Sequence, residues 1–218
     1  MIRPWFVVLS VLLLAGCGPP ADRTAVPVVL VRVGMQTVSV DDFEAAFTIS
    51  QMAYDFGDLQ QPAIWQEARL RLLNELVEEA LVLEKARILG IQVSAGEVDE
   101  AERRLRADYP EGAFEALLLE NAVQYPVWRE RLRVRRLLDK TVWEVLGAQV
   151  AVTPEALAAM LADPHETGPG NTDEHLVQRL KRRQVEAAYP QWVRRLRQEF
   201  PVEINQPELE RLLKAPQA

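Results

Sequence analysis

Between Pro62 and Leu89 apolar residues recur at three- and four-residue spacing, as Leu73, Leu76, Val77, Ala80 and Leu83, while Glu75, Glu78, Glu79, Glu84 and Lys85 fill other faces. That period belongs to an amphipathic α-helix. Pro62 suits a first turn, where its missing N–H is no loss, and Gly90 with Ile91 behind it suits a left-handed C-cap. At the helical rise, Trp65 to Leu89 is about 37 Å long. A helix of that length can serve as a scaffold, and the rest of the chain must be arranged around it.

The flanking segments read as smaller pieces. Valine-rich Val26 to Val33, a break at Gly34-Met35, and Gln36 to Val40 predict a β-hairpin. Ser39 with Asp42 resembles a capping box, so the second strand runs into a helix from Val40 to about Tyr54, with Phe43, Ala46, Phe47 and Ser50 on one side. Ser94-Ala-Gly-Glu97 is a full capping box for a helix to about Asp108, and shorter and longer helices follow over Gly112 to Asn121 and Pro126 to Gly147. Thr153-Pro154-Glu155 opens a brief helix, and His165 to Thr172 is the clearest loop. A last helix runs from Asp173 to Phe200 with a kink expected at Pro190, then Val202-Glu-Ile204 as a strand, and Gln206 to Ala218 as a frayed tail. The fold class is mainly α with a small β-sheet, an α+β arrangement.

Composition removes several functions. A formal charge of −7 argues against a general nucleic-acid role. His165 and His175 stand ten residues apart, whereas two ligands on one helix face stand three or four apart. They read as a solvated loop, and no metal, cofactor or catalytic residue is expected. No phosphate-binding glycine loop and no oriented nucleophile–base pair stands out. Glu75, Glu78 and Glu79 read as the wet face of a helix. Arg129, Arg131, Arg133, Arg135 and Arg136, with Arg103, Arg104 and Arg106 upstream, form a basic strip; helix-surface ion pairs are its simplest fate, and anionic lipid or an acidic client stretch is the other.

The N-terminal residues address the chain. An almost wholly apolar run of ten residues, Trp5 to Leu14, follows a head with one basic residue, Arg3, and ends in Leu14-Ala15-Gly16-Cys17. It is shorter than the roughly 20 residues a bilayer crossing needs, and the small residues after it suit a cleaved signal. The ending resembles the bacterial lipobox. The resemblance implies that residues 1–16 are a signal peptide, that Cys17 becomes an acylated N-terminus (palmitate among its chains), and that 17–25 is a tether. Cys17 is the only cysteine, so no thiol remains for a disulfide once it is lipidated. Gly18, where an aspartate would favour inner-membrane retention, points to the periplasmic face of the outer membrane.

The order of the remaining pieces resembles SurA-type periplasmic chaperones. Ser39-Val40-Asp41-Asp42-Phe43 after a valine-rich hairpin, Leu89-Gly90-Ile91-Gln92-Val93-Ser94 after a long Leu/Glu helix, and Glu97-Val98-Asp99 opening the next helix are similar to the family's chaperone domain. Trp128 to Trp143 resembles its later helix. Val150-Ala-Val-Thr-Pro-Glu155 resembles the point where a prolyl isomerase domain is usually inserted, but Val152 to Leu176 is far shorter than the roughly 50 residues of a domain. Trp192 to Ile204 is similar to the closing helix and strand. The resemblance implies a SurA N-terminal-like domain over 26–153, a short helix and loop over 154–172 in place of the isomerase, and completion of the chaperone domain by 173–205, with 206–218 as tail.

These readings imply a membrane-anchored holdase of the cell envelope for unfolded exported or outer-membrane polypeptides, with no isomerase activity and no nucleic-acid partner. A structural or assembly lipoprotein for one envelope partner is the alternative. Phe47, Met52, Tyr54, Phe56 and Trp65 are core by default. Any that are exposed would form an adaptable apolar patch, and they are the candidate client-binding residues.

Overall fold

The computed structural model describes residues 27–51, 54, 57–121, 123–162 and 173–214. The valine-rich opening forms β1 (Val29–Val33) and β2 (Gln36–Ser39), and Ser39 leads into α1 (Val40–Ser50). The capping box is complete: Asp42 N–H donates to Ser39 Oγ at 3.0 Å, and Ser39 N–H donates to Asp42 Oδ2 at 3.0 Å. Helix α1 ends at Ser50, one turn before the expected Tyr54. A 3-10 turn (Asp58–Gln60) leads to α2 (Pro62–Leu89), which has the predicted bounds. Gly90 is left-handed with φ of +67°, and Ile91 N–H returns to the Ala86 carbonyl at 2.9 Å.

Buried polar groups seat the hairpin on this scaffold. Gly34 has φ of +56°, and a methyl group there would collide with the Glu84 carboxylate. Glu84 is buried on α2 and accepts from Arg87 Nε and Nη2 at 2.9 and 2.8 Å and from Gln36 Nε2 at 3.4 Å. The Arg87 hydrogen bonds hold its carboxyl below the ordinary value although burial pushes it up. The hairpin turn therefore closes over a charge that α2 has already paired.

Helices α3 (Ala95–Ala107), α4 (Ala113–Glu120) and α5 (Tyr125–Leu146) follow as an arm, with α3 packed on α5 and α5 along α2. Helix α6 (Pro154–Leu161), capped by Thr153 Oγ1, packs on α7 (Asp173–Glu199). Pro190 does not end α7; its ring lies on the exposed side, while Val185, Trp192, Val193 and Leu196 hold the helix to the core.

The chain then closes on its beginning. Strand β3 (Val202–Ile204) pairs antiparallel with β1, Val33 opposite Val202 and Val31 opposite Ile204, giving sheet order β2-β1-β3. The expected tail departs from the sequence reading. Gln206–Leu213 is helix α8, capped by Asn205 and burying Leu209 and Leu212 against the core. Asn205 N–H donates to Leu30 O at 2.9 Å, and its Nδ2 donates to Val29 O at 3.2 Å. A short amphipathic segment, marginal alone, is helical here because its apolar side is covered.

Candidate binding surface

The arm is organised by charge. Glu102 on α3 is 7% exposed and accepts from Tyr125 Oη at 2.8 and 2.9 Å and from Arg106 Nη1 at 2.9 Å. Arg129 on α5 bonds both Glu102 and Asp99. Burial pushes the Glu102 carboxyl up, but the hydrogen bonds from Tyr125, Arg106 and Arg129 outweigh it and hold it below the ordinary value. Arg129 is correspondingly pushed above its ordinary value, chiefly by Asp99. Lys140 Nζ reaches Glu97 Oε1 at 2.7 Å and Gln92 O at 2.9 Å. That lysine, then the Ser94 N–H, brings the Glu97 carboxyl down to about 2. A polar groove of about 680 Å³ runs between the two helices, lined by Glu97, Glu100, Arg104, Leu132, Arg136 and Asp139 among others.

Beyond the charges lies an aromatic cluster. Phe114 on α4 meets Trp128 on α5 edge-on at 4.7 Å and Tyr109 at 6.0 Å, and Trp128 stacks on Tyr125 at 5.9 Å. The Arg106 guanidinium covers Phe114 at 4.7 Å. Of these rings only Phe114 is buried. Tyr109, Leu117, Tyr125 and Val127 are exposed, and Leu119 is 82% exposed. Helix α4 has eight residues and carries Phe114, Leu117, Leu118 and Leu119, so seating Phe114 inward leaves apolar groups outward. Adaptable rings joined by edge contacts, with leucines standing in water, can receive an apolar side chain of another polypeptide.

The aromatic residues singled out in the sequence lie elsewhere. Phe47 is 1% exposed and sits in the core, stacked near Phe43 at 6.4 Å and edge-on to Trp65 at 4.9 Å. Its proposed place in a client-binding patch is therefore corrected: helix α1 turns it inward against α2. Trp65 and Tyr54 are half-buried against the same core. The unforeseen partner is Arg69, 3% exposed, which bonds Glu44 at 2.6 Å and lies 4.9, 4.5 and 5.1 Å from the Phe43, Phe47 and Trp65 rings. Met52 and Phe56 lie outside the described residues, as do Cys17 and His165.

The basic strip is consumed by pairing. Arg103 and Arg104 share Glu100, Arg133 holds Glu130, and Arg135 and Arg136 share Asp139. The wet face expected for α2 carries cross-helix pairs too, Arg131 to Glu79 at 3.4 Å and Arg197 to Glu78 at 3.5 Å. Among the described residues no cluster of three or more His, Cys, Asp or Glu could hold a metal ion. No described helix is long and apolar enough to cross a membrane.

A valine hairpin closed by the chain's last strand, a long scaffold helix and a charge-latched helical arm define a chaperone-type helical domain with a small sheet. The family model described as SurA-like N-terminal domain matches residues 1–141, and the chain belongs to that family. No curated protein matches the chain.

Proposed function

We propose that this protein is a membrane-anchored holdase of the cell envelope, which shields unfolded exported or outer-membrane polypeptides without prolyl isomerase chemistry. One observation carries the reading: the arm keeps Tyr109, Leu117, Leu119, Tyr125 and Val127 in solvent around a ring cluster that is only part-buried. A client's apolar segments would meet these groups, and the charged groove beside them would tolerate its polar stretches. Val150 to Glu155 resembles the point where SurA-type chaperones insert an isomerase, and the eight-residue α6 that follows it is far smaller than a domain, which supports binding without turnover. The lipobox at Leu14 to Cys17 supports the anchor and the outer membrane's periplasmic face as the site of action.

The test is suppression of aggregation of an unfolded β-barrel protein by the chain from Gly18 onward. Suppression near equal molar amounts that survives salt, and that weakens in Leu119→Ser with Val127→Ser, is the expected result. An unchanged yield of aggregate would end the holdase reading.

A further inference from the structure

While α3 and α5 spend their arginines on carboxylates, three of the six arginines of α7 stand outside any such pairing among the described residues. Its exposed side carries Arg182, Arg194 and Arg195, and none of these has a carboxylate partner among the described residues. Lys181, also without one, lies 5.3 Å from the ring of half-exposed Trp143. The helix holds seven basic and four acidic residues in a chain of formal charge −7, so it runs against the charge of the whole. Glu186 is the single acid between Arg182 and Arg195.

The position of this side matters as much as its sign. Helix α7 passes through Phe200-Pro201 into three-residue β3, and Asn205 beyond it bonds Val29 and Leu30, where residues 1–26 join the body. Five helical steps and the six residues from Phe200 to Asn205 place Arg194 and Arg195 within about 30 Å of that junction. From Cys17 to Val28 the chain can extend at most about 40 Å. A tether of that length leaves α7 within reach of the headgroups.

We propose that the solvent-facing side of α7, centred on Arg194 and Arg195, docks on the anionic headgroups of the bilayer that holds Cys17, and so sets the orientation of the body on the membrane. This rests on the lipid-anchor reading above. Each arginine near an anionic surface raises partitioning about fivefold, so the pair accounts for about 25-fold. Trp143 beside Lys181 suits the same boundary, with an apolar ring and a cationic tip.

Vesicle flotation of the chain from Gly18 onward, which keeps every described residue and lacks the acylation site, tests the surface apart from the anchor. Binding to phosphatidylcholine vesicles containing phosphatidylglycerol, little binding to phosphatidylcholine alone, and loss with added salt are expected. R194Q/R195Q should lower binding about 25-fold with an unchanged melting curve, while R103Q/R104Q, whose arginines share Glu100, should alter it little. Equal binding to both vesicles, or undiminished binding by R194Q/R195Q, overturns the proposal. Binding of an acidic unfolded polypeptide without vesicle binding also overturns it and assigns the surface to clients. Mass spectrometry of the mature N-terminus separates the two readings: an unacylated chain that still floats with anionic vesicles removes the anchor and leaves the α7 surface standing.

Discussion

Helix α2 buries eleven side chains over 28 residues, nine of them apolar, whereas the longer stretch of α3, α4 and α5 buries only Val98, Glu102, Phe114, Thr141 and Leu146. The core around the sheet is held by dense apolar contact, which is strong, non-directional and indifferent to salt. The arm is held by Glu102, Asp99 and Glu97 against Arg106, Arg129 and Lys140, and by rings touching at their edges. Such contacts fix a direction but supply little depth. The comparison teaches how one molecule divides its stability: the part around the sheet is packed, and the part that keeps apolar groups in solvent is latched.

The contrast breaks most severely in the core. Leu81→Ala removes a fully buried side chain and should cost about 3–4 kcal/mol, seen as a lower denaturant midpoint for the whole chain. Gly34→Ala should cost about 2 kcal/mol, because a left-handed φ is disfavoured with a Cβ and the methyl group meets Glu84. A substitution in the arm acts differently. Glu102→Gln should cost about 1.5 kcal/mol, and hydrogen exchange should quicken in α3 and α4 while α2 keeps its protection.

Acid provides a reversible version of the same break. The folded-state values of Glu97 and Glu102 lie below the ordinary one, so the stability they lend is complete above about 4.5 and is lost as pH falls through the folded values. For Glu97 that window is between 4.5 and about 2. Trp128 emission should report loosening of the arm there before the far-ultraviolet signal of the core helices falls. The smallest effect on stability belongs to Leu119→Ser, within about 0.5 kcal/mol by thermal melting, because this side chain stands in water. A large change would mean that α4 is packed more tightly than its exposure shows.

Much of the architecture was legible. The period of α2, the boxes at Ser39 and Ser94, the Thr153 cap and the left-handed Gly90 are local signals, and each element stands where its signal lay. The part-exposed surface was harder to see. Phe47 and Trp65 flank a weakly periodic segment, which suggests exposure, yet Phe47 is interior and Trp65 rests on the same core. The leucine triplet at Leu117 to Leu119 is the sequence signal for it, since two turns of helix cannot turn every apolar face inward. Arg69 was beyond reach, because only the crossing of α1 over α2 sets a guanidinium among three rings. Helix α8 reads as a tail for a similar reason, its amphipathic side being stabilised by packing rather than by length.

The sequence by itself determined the features set by neighbours along the chain: the helical period, the caps, the hairpin turn and the apolar run before Cys17. Those depend on a few adjacent residues and their backbone preferences. Only the tertiary structure decided which arginines are neutralised, which rings are interior and that β3 lies beside β1. These are matters of which distant groups arrive within a few ångströms of one another, and no local periodicity encodes that meeting.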